Sequence, residues 1–212
     1  MKIPAKNKKY KKGFTIVEIM LATAITVIIM VAIVAFEVNV LNYNRSSHTA
    51  LNNAQQAQNI LKIIAREIRE MSRGISGLYP ILSVATSSLT FYADIEGNGS
   101  PDQIRYYLTF GDTTNTLYRG VTRPSGTPPS YDLANEDNKI IAAGLGNSST
   151  TPVFEYFDGD YDGTGSALSY PVATSSVRLI KVNLVTATDP KGIVMPKTFS
   201  TQISLRVLKD NL

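Results

Sequence analysis

Apolar residues run almost without interruption from Phe14 to Phe36, and Glu18 is the only charged residue among them. Twenty-three residues in a helix extend about 34 Å, which is enough to cross the roughly 30 Å hydrocarbon core of a bilayer. The pattern therefore predicts one membrane-spanning helix over residues 14–36.

The helical pattern continues beyond Phe36 in a more polar form. Residues 37–72 contain neither proline nor glycine, and their small and apolar side chains recur at alternating spacings of four and three. Such a stripe predicts an exposed continuation of the helix, over 37–74, that packs on a sheet of the same chain and ends near Gly74. The stripe consists of Ala50, Ala54, Ala57, Leu61, Ile64, Ile68 and Met71.

From about residue 78 the hydrophobic period changes from helical to two. Strands after one long helix predict an α+β fold, in which the helix packs on an antiparallel β-sheet head over residues 75–212 in a lollipop arrangement. The region 123–151 is the most loop-like, and its proline cluster at 123–130 predicts a loop. The predicted strands are 88–95, 103–110, 115–122, 152–158, 176–187 and 198–209.

The segment before the apolar run is basic. Residues 1–13 carry six lysines and no acid, so the positive-inside rule predicts a cytoplasmic N-terminus, a single-pass inner-membrane protein and an extracytoplasmic head. The apolar run exceeds the 7–15 residues of a secretory signal peptide, and no A-x-A-like site closes it.

Net charge changes sign if the basic segment is removed. The whole chain has 21 Lys+Arg against 17 Asp+Glu, a formal net charge of +4. Without the six leader lysines the balance is 15 against 17, so the basic character belongs to the leader and gives no support for nucleic-acid binding.

The carboxylate of Glu18 needs a partner. An acid inside a membrane-spanning helix costs several kcal/mol unless it is paired, neutralised or close to the interface. Cleavage after Gly13 would create a free ammonium group on Phe14, one helical turn from Glu18. That ammonium could meet Glu18 of its own chain or Glu18 of a neighbouring helix.

The run Lys-Lys-Gly-Phe-Thr-Ile-Val-Glu at 11–18 resembles the class III signal of type IV pilins and type II secretion pseudopilins. The resemblance implies that a prepilin peptidase cuts after Gly13 and N-methylates Phe14. It also implies that Glu18, the fifth residue of the mature chain, acts in assembly. Its implied partners are other pilin or pseudopilin subunits and an inner-membrane assembly platform.

The head is larger than that of a typical major subunit, and it looks like the heads of W-type minor pilins and J-type minor pseudopilins. The implied function is a structural, non-catalytic minor subunit that primes or caps assembly of a type IV pilus or a type II secretion pseudopilus. A tip-located adhesin or DNA-uptake module that uses the loops at 123–151 is the alternative. Secretion, motility and competence machines all fit the sequence.

Two acidic loops are candidates for calcium, the one cofactor that the sequence suggests. In DGDYDG at 158–163, Asp158, Asp160 and Asp162 alternate before Gly163, as at the start of a calcium loop. The twelfth position is Ser169 rather than glutamate, and plain turns favour the same residue types. The second loop, DIEGNGSPD at 94–102, offers Asp94, Glu96, Asn98 and Asp102.

Residues for catalysis are few. The chain has no cysteine, which excludes thiol catalysis and zinc–thiolate sites, and its single histidine, His48, falls on the predicted helix away from the apolar stripe. No nucleophile elbow or phosphate-binding loop is present. The sequence predicts that the protein is not an enzyme.

Overall fold

The computed structural model describes residues 13–112, 114–187 and 195–208. Its contacts divide the chain into two units, one up to Ser47 and one from His48. Residues 1–12 of the predicted leader lie outside the described residues.

One long helix, α1 (Ile16–Arg69), follows a short extended segment. In the first unit every described residue from Gly13 to Arg45 is exposed, including the whole apolar run. An 18-residue window of α1 has a mean hydropathy of 2.8, so the helix is long and apolar enough to cross a membrane. Together these features agree with the predicted span.

In the second unit, the C-terminal part of α1 uses the predicted stripe. Ala57, Leu61, Ile64 and Ile68 are buried against the sheets that follow. The predicted stop at Gly74 is wrong, because the helix ends at Arg69. Gly74 has another reason to lack a side chain: a Cβ there would lie 2.9 Å from the ring of Tyr92.

Ten strands and four short 3-10 turns follow the helix within the described residues. The 3-10 turns are Ile75–Gly77, Leu133–Asn135, Thr174–Ser176 and Arg206–Leu208. In chain order the strands are β1 (Ile81–Val84), β2 (Ser88–Ala93), β3 (Asp102–Thr109), β4 (Asn115–Thr122), β5 (Pro124–Ser125), β6 (Ser130–Tyr131), β7 (Asp137–Leu145), β8 (Phe154–Phe157), β9 (Leu179–Val185) and β10 (Thr198–Ser204).

The strands form antiparallel sheets, as predicted. Five strands pair in the order β1-β2-β3-β4-β7, three pair in the order β10-β9-β8, and β5 pairs with β6 in a small hairpin. Every pairing between them is antiparallel. The α+β class, with a long N-terminal helix followed by an antiparallel head, is confirmed.

Each predicted strand is found, but 176–187 and 198–209 are shortened to β9 and β10, and β1 was not predicted. The loop prediction for 123–151 is wrong. The nine residues of β7 lie inside it, and β5 and β6 pair across the proline cluster. Pro124 is tolerated because it begins a ladder of only two residues, where a missing N–H costs little. The last predicted strand ends at Ser204, and residue 209 lies outside the described residues.

A buried asparagine joins the two larger sheets. Asn147 is 1% exposed and follows β7; its amide donates to the carbonyl of Asn183 at 3.0 Å, and its side-chain oxygen accepts from the backbone of Val185 at 2.9 Å. The bridge between Leu145 and Thr186 continues the same contact. The two sheets therefore share one core with α1, in which each buried Leu, Ile or Phe contributes about 1.5–3 kcal/mol.

Candidate functional site

The predicted cleavage site lies in an open, extended segment. Gly13, Phe14 and Thr15 precede the first residue of α1 and are exposed, and Phe14 is 84% exposed. A Cβ added to Gly13 would meet no atom within 4 Å. The fold itself therefore does not require glycine at position 13, so a requirement for it would have to come from another molecule.

Glu18 and Thr15 form a reciprocal cap at the start of α1. The backbone N–H of Thr15 donates to the Glu18 carboxylate at 2.8 Å, and its hydroxyl donates to the same oxygen at 3.0 Å. In return the backbone N–H of Glu18 donates to the Thr15 hydroxyl oxygen at 3.3 Å. This is a capping box, with threonine at the N-cap and glutamate three residues later. The carboxylate thus has hydrogen-bond donors within its own chain, as well as the favourable field of a helix N-terminus.

The first acidic loop folds back on its own backbone. Asp158 accepts from the backbone N–H of Asp160 at 3.2 Å. Asp162 accepts from the backbone N–H of Thr164 at 2.9 Å and from its hydroxyl at 2.7 Å. These hydrogen bonds lower the pKa of Asp162 below its usual value. Gly163 has a positive φ of 103°, which glycine adopts more readily than other residues.

The second acidic loop places its four predicted residues in different surroundings. Asp94 accepts from the backbone N–H groups of Asn98 and Gly99 at 3.1 and 2.8 Å, while Glu96 forms an ion pair with Arg123 at 2.6 Å. Asp102 is 2% exposed, and one of its oxygens has no hydrogen-bond partner. Burial, with the nearby Glu96 carboxylate, raises the pKa of Asp102.

Neither loop gathers its carboxylates around one point. Among the described residues, no group of three or more His, Cys, Asp or Glu side chains is placed to hold a metal ion. Calcium would have to displace the turn hydrogen bonds of Asp94 or Asp162 and draw further oxygen ligands inward. Calcium binding stays a prediction, and a binding measurement has to test it.

A buried polar cluster beneath the sheet was missed by the sequence analysis. Glu67 of α1 is 4% exposed, and its two oxygens bind Arg119 of β4, with Nη2–Oε1 at 2.8 Å and Nε–Oε2 at 2.9 Å. The hydroxyl of Tyr106, on β3, donates to the same carboxylate. Burial, followed by the Glu67 charge, raises the pKa of Tyr106, so the phenol stays a donor.

A signal for this cluster was present in the sequence. Ile60, Ile64, Glu67 and Met71 are spaced four, three and four, so Glu67 occupies one position of a second inward stripe. A glutamate on such a stripe predicts a buried cation opposite it. The cluster fixes the position of α1 along β3 and β4, which is a structural role.

His48 is exposed on α1, in agreement with a solvated helix residue. The head also carries a solvent-side stack, in which the rings of Tyr107 and Tyr118 lie 5.2 Å apart and Arg105 lies over Tyr107 at 4.2 Å. Arg105 in turn pairs with Glu136. These contacts join β3, β4 and the loop before β7 through a ring stack, a cation–π contact and an ion pair.

Comparison with known proteins identifies the N-terminal segment. Residues 8–34 match the model of the prokaryotic N-terminal methylation motif. No match was found among curated proteins or among solved structures. The motif is the class III signal of type IV pilins and pseudopilins, which confirms the resemblance drawn from residues 11–18.

The motif and the helix together define the class of protein. The signal implies processing by a prepilin peptidase and assembly with other pilin subunits, and the apolar helix that it heads indicates anchoring in a membrane. A pilin-type structural subunit, rather than an enzyme, is the function that these features indicate.

Proposed function

We propose that the chain is a minor pilin or pseudopilin that primes or caps assembly of a type IV pilus or type II secretion pseudopilus. The observation that carries the proposal is the methylation motif at 8–34, which heads a helix whose apolar N-terminal part is exposed throughout and whose first turn holds the carboxylate of Glu18. In this proposal the leader stays cytoplasmic, the peptidase cuts after Gly13, and Phe14 becomes the methylated N-terminus.

Glu18 then works between subunits. An unpaired carboxylate in lipid is costly, and cleavage supplies a fixed positive charge at Phe14. The capping box keeps the carboxylate hydrogen-bonded to Thr15 while the subunit is alone in the membrane. During assembly the ammonium of an incoming subunit replaces that interaction with an ion pair, which draws the subunit from the bilayer and sets its axial register.

The size of the head supports a minor rather than a major role. From β1 onward the chain builds two larger sheets and a hairpin, and these present long connections such as the segment between β8 and β9. A priming or capping subunit occurs in few copies and does not have to fit the repeated packing of a long filament. Deletion of the chain should therefore reduce the number of filaments without changing the main subunit of those that still form.

Crosslinking in membranes tests the role of Glu18. Glu18→Gln keeps an acceptor suited to the capping box but removes the charge, whereas Glu18→Ala removes both. If the charge pairs between subunits, both variants should insert and be cleaved, yet lose crosslinks to neighbouring subunits and reduce filament number.

Glu37→Ala is the matched control, since Glu37 is an exposed acid on the same helix. It should crosslink like the wild type. Undiminished crosslinks and normal filament numbers for Glu18→Gln would show that the cap, and not an intersubunit charge pair, is what the glutamate provides.

A further inference from the structure

Strand β10 differs from the two edge strands of the larger sheet. It is the outer strand of its sheet, and all seven of its residues pair with β9 without a break in register. The edge strands β1 and β7 of the larger sheet each contain a register shift. Such bulges, like lysine or proline on an edge, discourage pairing with another chain. The sequence of β10, TFSTQIS, contains no lysine, proline or glycine, so this edge lacks those protections.

The bonds of β10 to β9 show which of its backbone groups have no partner among the described residues. The N–H of Thr186 donates to the carbonyl of Lys197 at 3.0 Å, and the N–H of Leu205 donates to that of Arg178 at 2.9 Å. Hydrogen-bonded pairs alternate along an antiparallel ladder, so the backbone N–H and C=O groups of the odd-numbered residues between these two bonds point toward β9. The residues whose N–H and C=O point away from β9 are Thr198, Ser200, Gln202 and Ser204.

A groove of about 370 Å³ runs between this edge and α1. Ser200 and Thr201 form its wall on the strand side. On the helix side, Leu61 and Ala65 give an apolar floor, and Lys62 and Arg69 stand two helical turns apart on the exposed rim.

The groove is positively charged. No acidic residue lines it, and within the described part of the chain neither Lys62 nor Arg69 forms a salt bridge. A complementary ligand carries carboxylates at a spacing that reaches both rim cations. It also presents unpaired backbone groups to β10, which an extended segment does and a helix does not.

We propose that the free edge of β10, with the groove beside it, binds an extended acidic segment of a partner polypeptide as an added strand. The backbone of the segment pairs with the outward groups of Ser200 and Gln202. Alternate side chains of the segment face the floor at Leu61 and Ala65, and its carboxylates meet Lys62 and Arg69. This proposal concerns the head and does not depend on the role of Glu18.

A peptide of known composition tests the site on the full chain in detergent micelles. The probe is a short synthetic peptide that alternates glutamate with threonine and valine, and its lysine counterpart is the charge control. Binding is measured by fluorescence anisotropy and mapped by amide hydrogen exchange. The glutamate peptide should bind and slow exchange at Ser200 and Gln202, and the lysine peptide should not bind.

Two kinds of variant separate backbone pairing from charge. Ser200→Pro removes one outward N–H while the ladder to β9 stays intact, and it should weaken binding by about tenfold or more. The double variant Lys62→Glu, Arg69→Glu should weaken it to a similar extent. Arg66→Glu, on the exposed side of the same helix but outside the groove, should stay within about twofold of the wild type.

Three results would overturn the proposal. The first is no binding of the glutamate peptide. The second is binding that neither Ser200→Pro nor the double charge reversal weakens. The third is slowed exchange along β10 that depends on protein concentration without peptide, which would assign the edge to a second copy of this chain.

Discussion

Removal of the Glu67 carboxylate should destabilise the head strongly. Glu67→Ala leaves the Arg119 guanidinium without its counter-ion in a site where the arginine side chain is only 16% exposed, and it leaves the Tyr106 hydroxyl without its acceptor. Loss of one partner from a buried ion pair costs about 3–5 kcal/mol. Because Arg119 keeps some contact with solvent, we expect a loss of about 3 kcal/mol in the free energy of unfolding.

Replacement of both charges should cost much less. Glu67→Leu combined with Arg119→Leu removes the ion pair without leaving a buried charge, and such exchanges are often nearly neutral. The double variant should therefore recover most of the stability lost in Glu67→Leu alone. Tyr106→Phe removes only a hydrogen bond to a charged group, for which about 1.5–3 kcal/mol is expected.

Urea unfolding of the fragment 48–212, followed by tyrosine fluorescence and circular dichroism, measures these differences. With a slope of about 2 kcal/mol per molar urea, a loss of 3 kcal/mol lowers the midpoint by about 1.5 M. Glu70→Ala is the matched control, since Glu70 is exposed at the end of the same helix and should change stability by less than about 0.5 kcal/mol.

Two outcomes would refute this account of the cluster. One is a cost below about 1 kcal/mol for Glu67→Ala, which would mean that water or another group satisfies Arg119. The other is additivity of Glu67→Leu and Arg119→Leu, since residues that contact each other should couple.

Three further predictions concern other parts of the chain. Gly13→Trp should leave an uncut precursor, and a mature N-terminus at Phe14 found by mass spectrometry would contradict this. Millimolar calcium should give the fragment a higher melting temperature than chelator does, because a hundredfold excess of calcium over Kd stabilises the folded state by about 2.7 kcal/mol. Equal melting temperatures would exclude calcium binding at 94–102 and 158–163. The hydrogen bond from Arg105 lowers the pKa of Glu136, so the pair stabilises the fold above the ordinary glutamate pKa. Glu136→Gln should cost about 1 kcal/mol at neutral pH, and the difference should vanish as acidification passes the lowered pKa; a constant difference down to strong acid would refute it.

The parts of the fold that follow one uninterrupted period could be predicted from the sequence. The stripe through Ala57, Leu61, Ile64 and Ile68 is buried as its spacing indicates, and β4 occupies its predicted residues 115–122. In each case neighbouring side chains meet one regular surface, so periodicity and burial coincide.

The elements that were missed break that regularity. Strand β7 shifts register twice against β4, so its apolar residues do not alternate, and its alanines and glycine have low strand propensity. Its run from Ile140 to Leu145 therefore resembled a loop beside the proline cluster. The Glu67 cluster was missed for another reason. A charge in a helix is usually solvated, so the position of Glu67 on an inward stripe was overlooked, and its partner Arg119 is identified only by the folded sheet.

The capping box has a consequence for the energetics of assembly. The Glu18 carboxylate already accepts two hydrogen bonds from Thr15. In the proposed pairing, a partner's ammonium therefore replaces these hydrogen bonds with an ion pair and does not neutralise an unpaired charge. The free energy gained at each such exchange is a small difference between two favourable terms, so a single contact is readily reversed. In the proposed assembly, lasting cohesion comes from many helices packing their exposed apolar surfaces together, and the charge pair mainly sets the axial position of each helix.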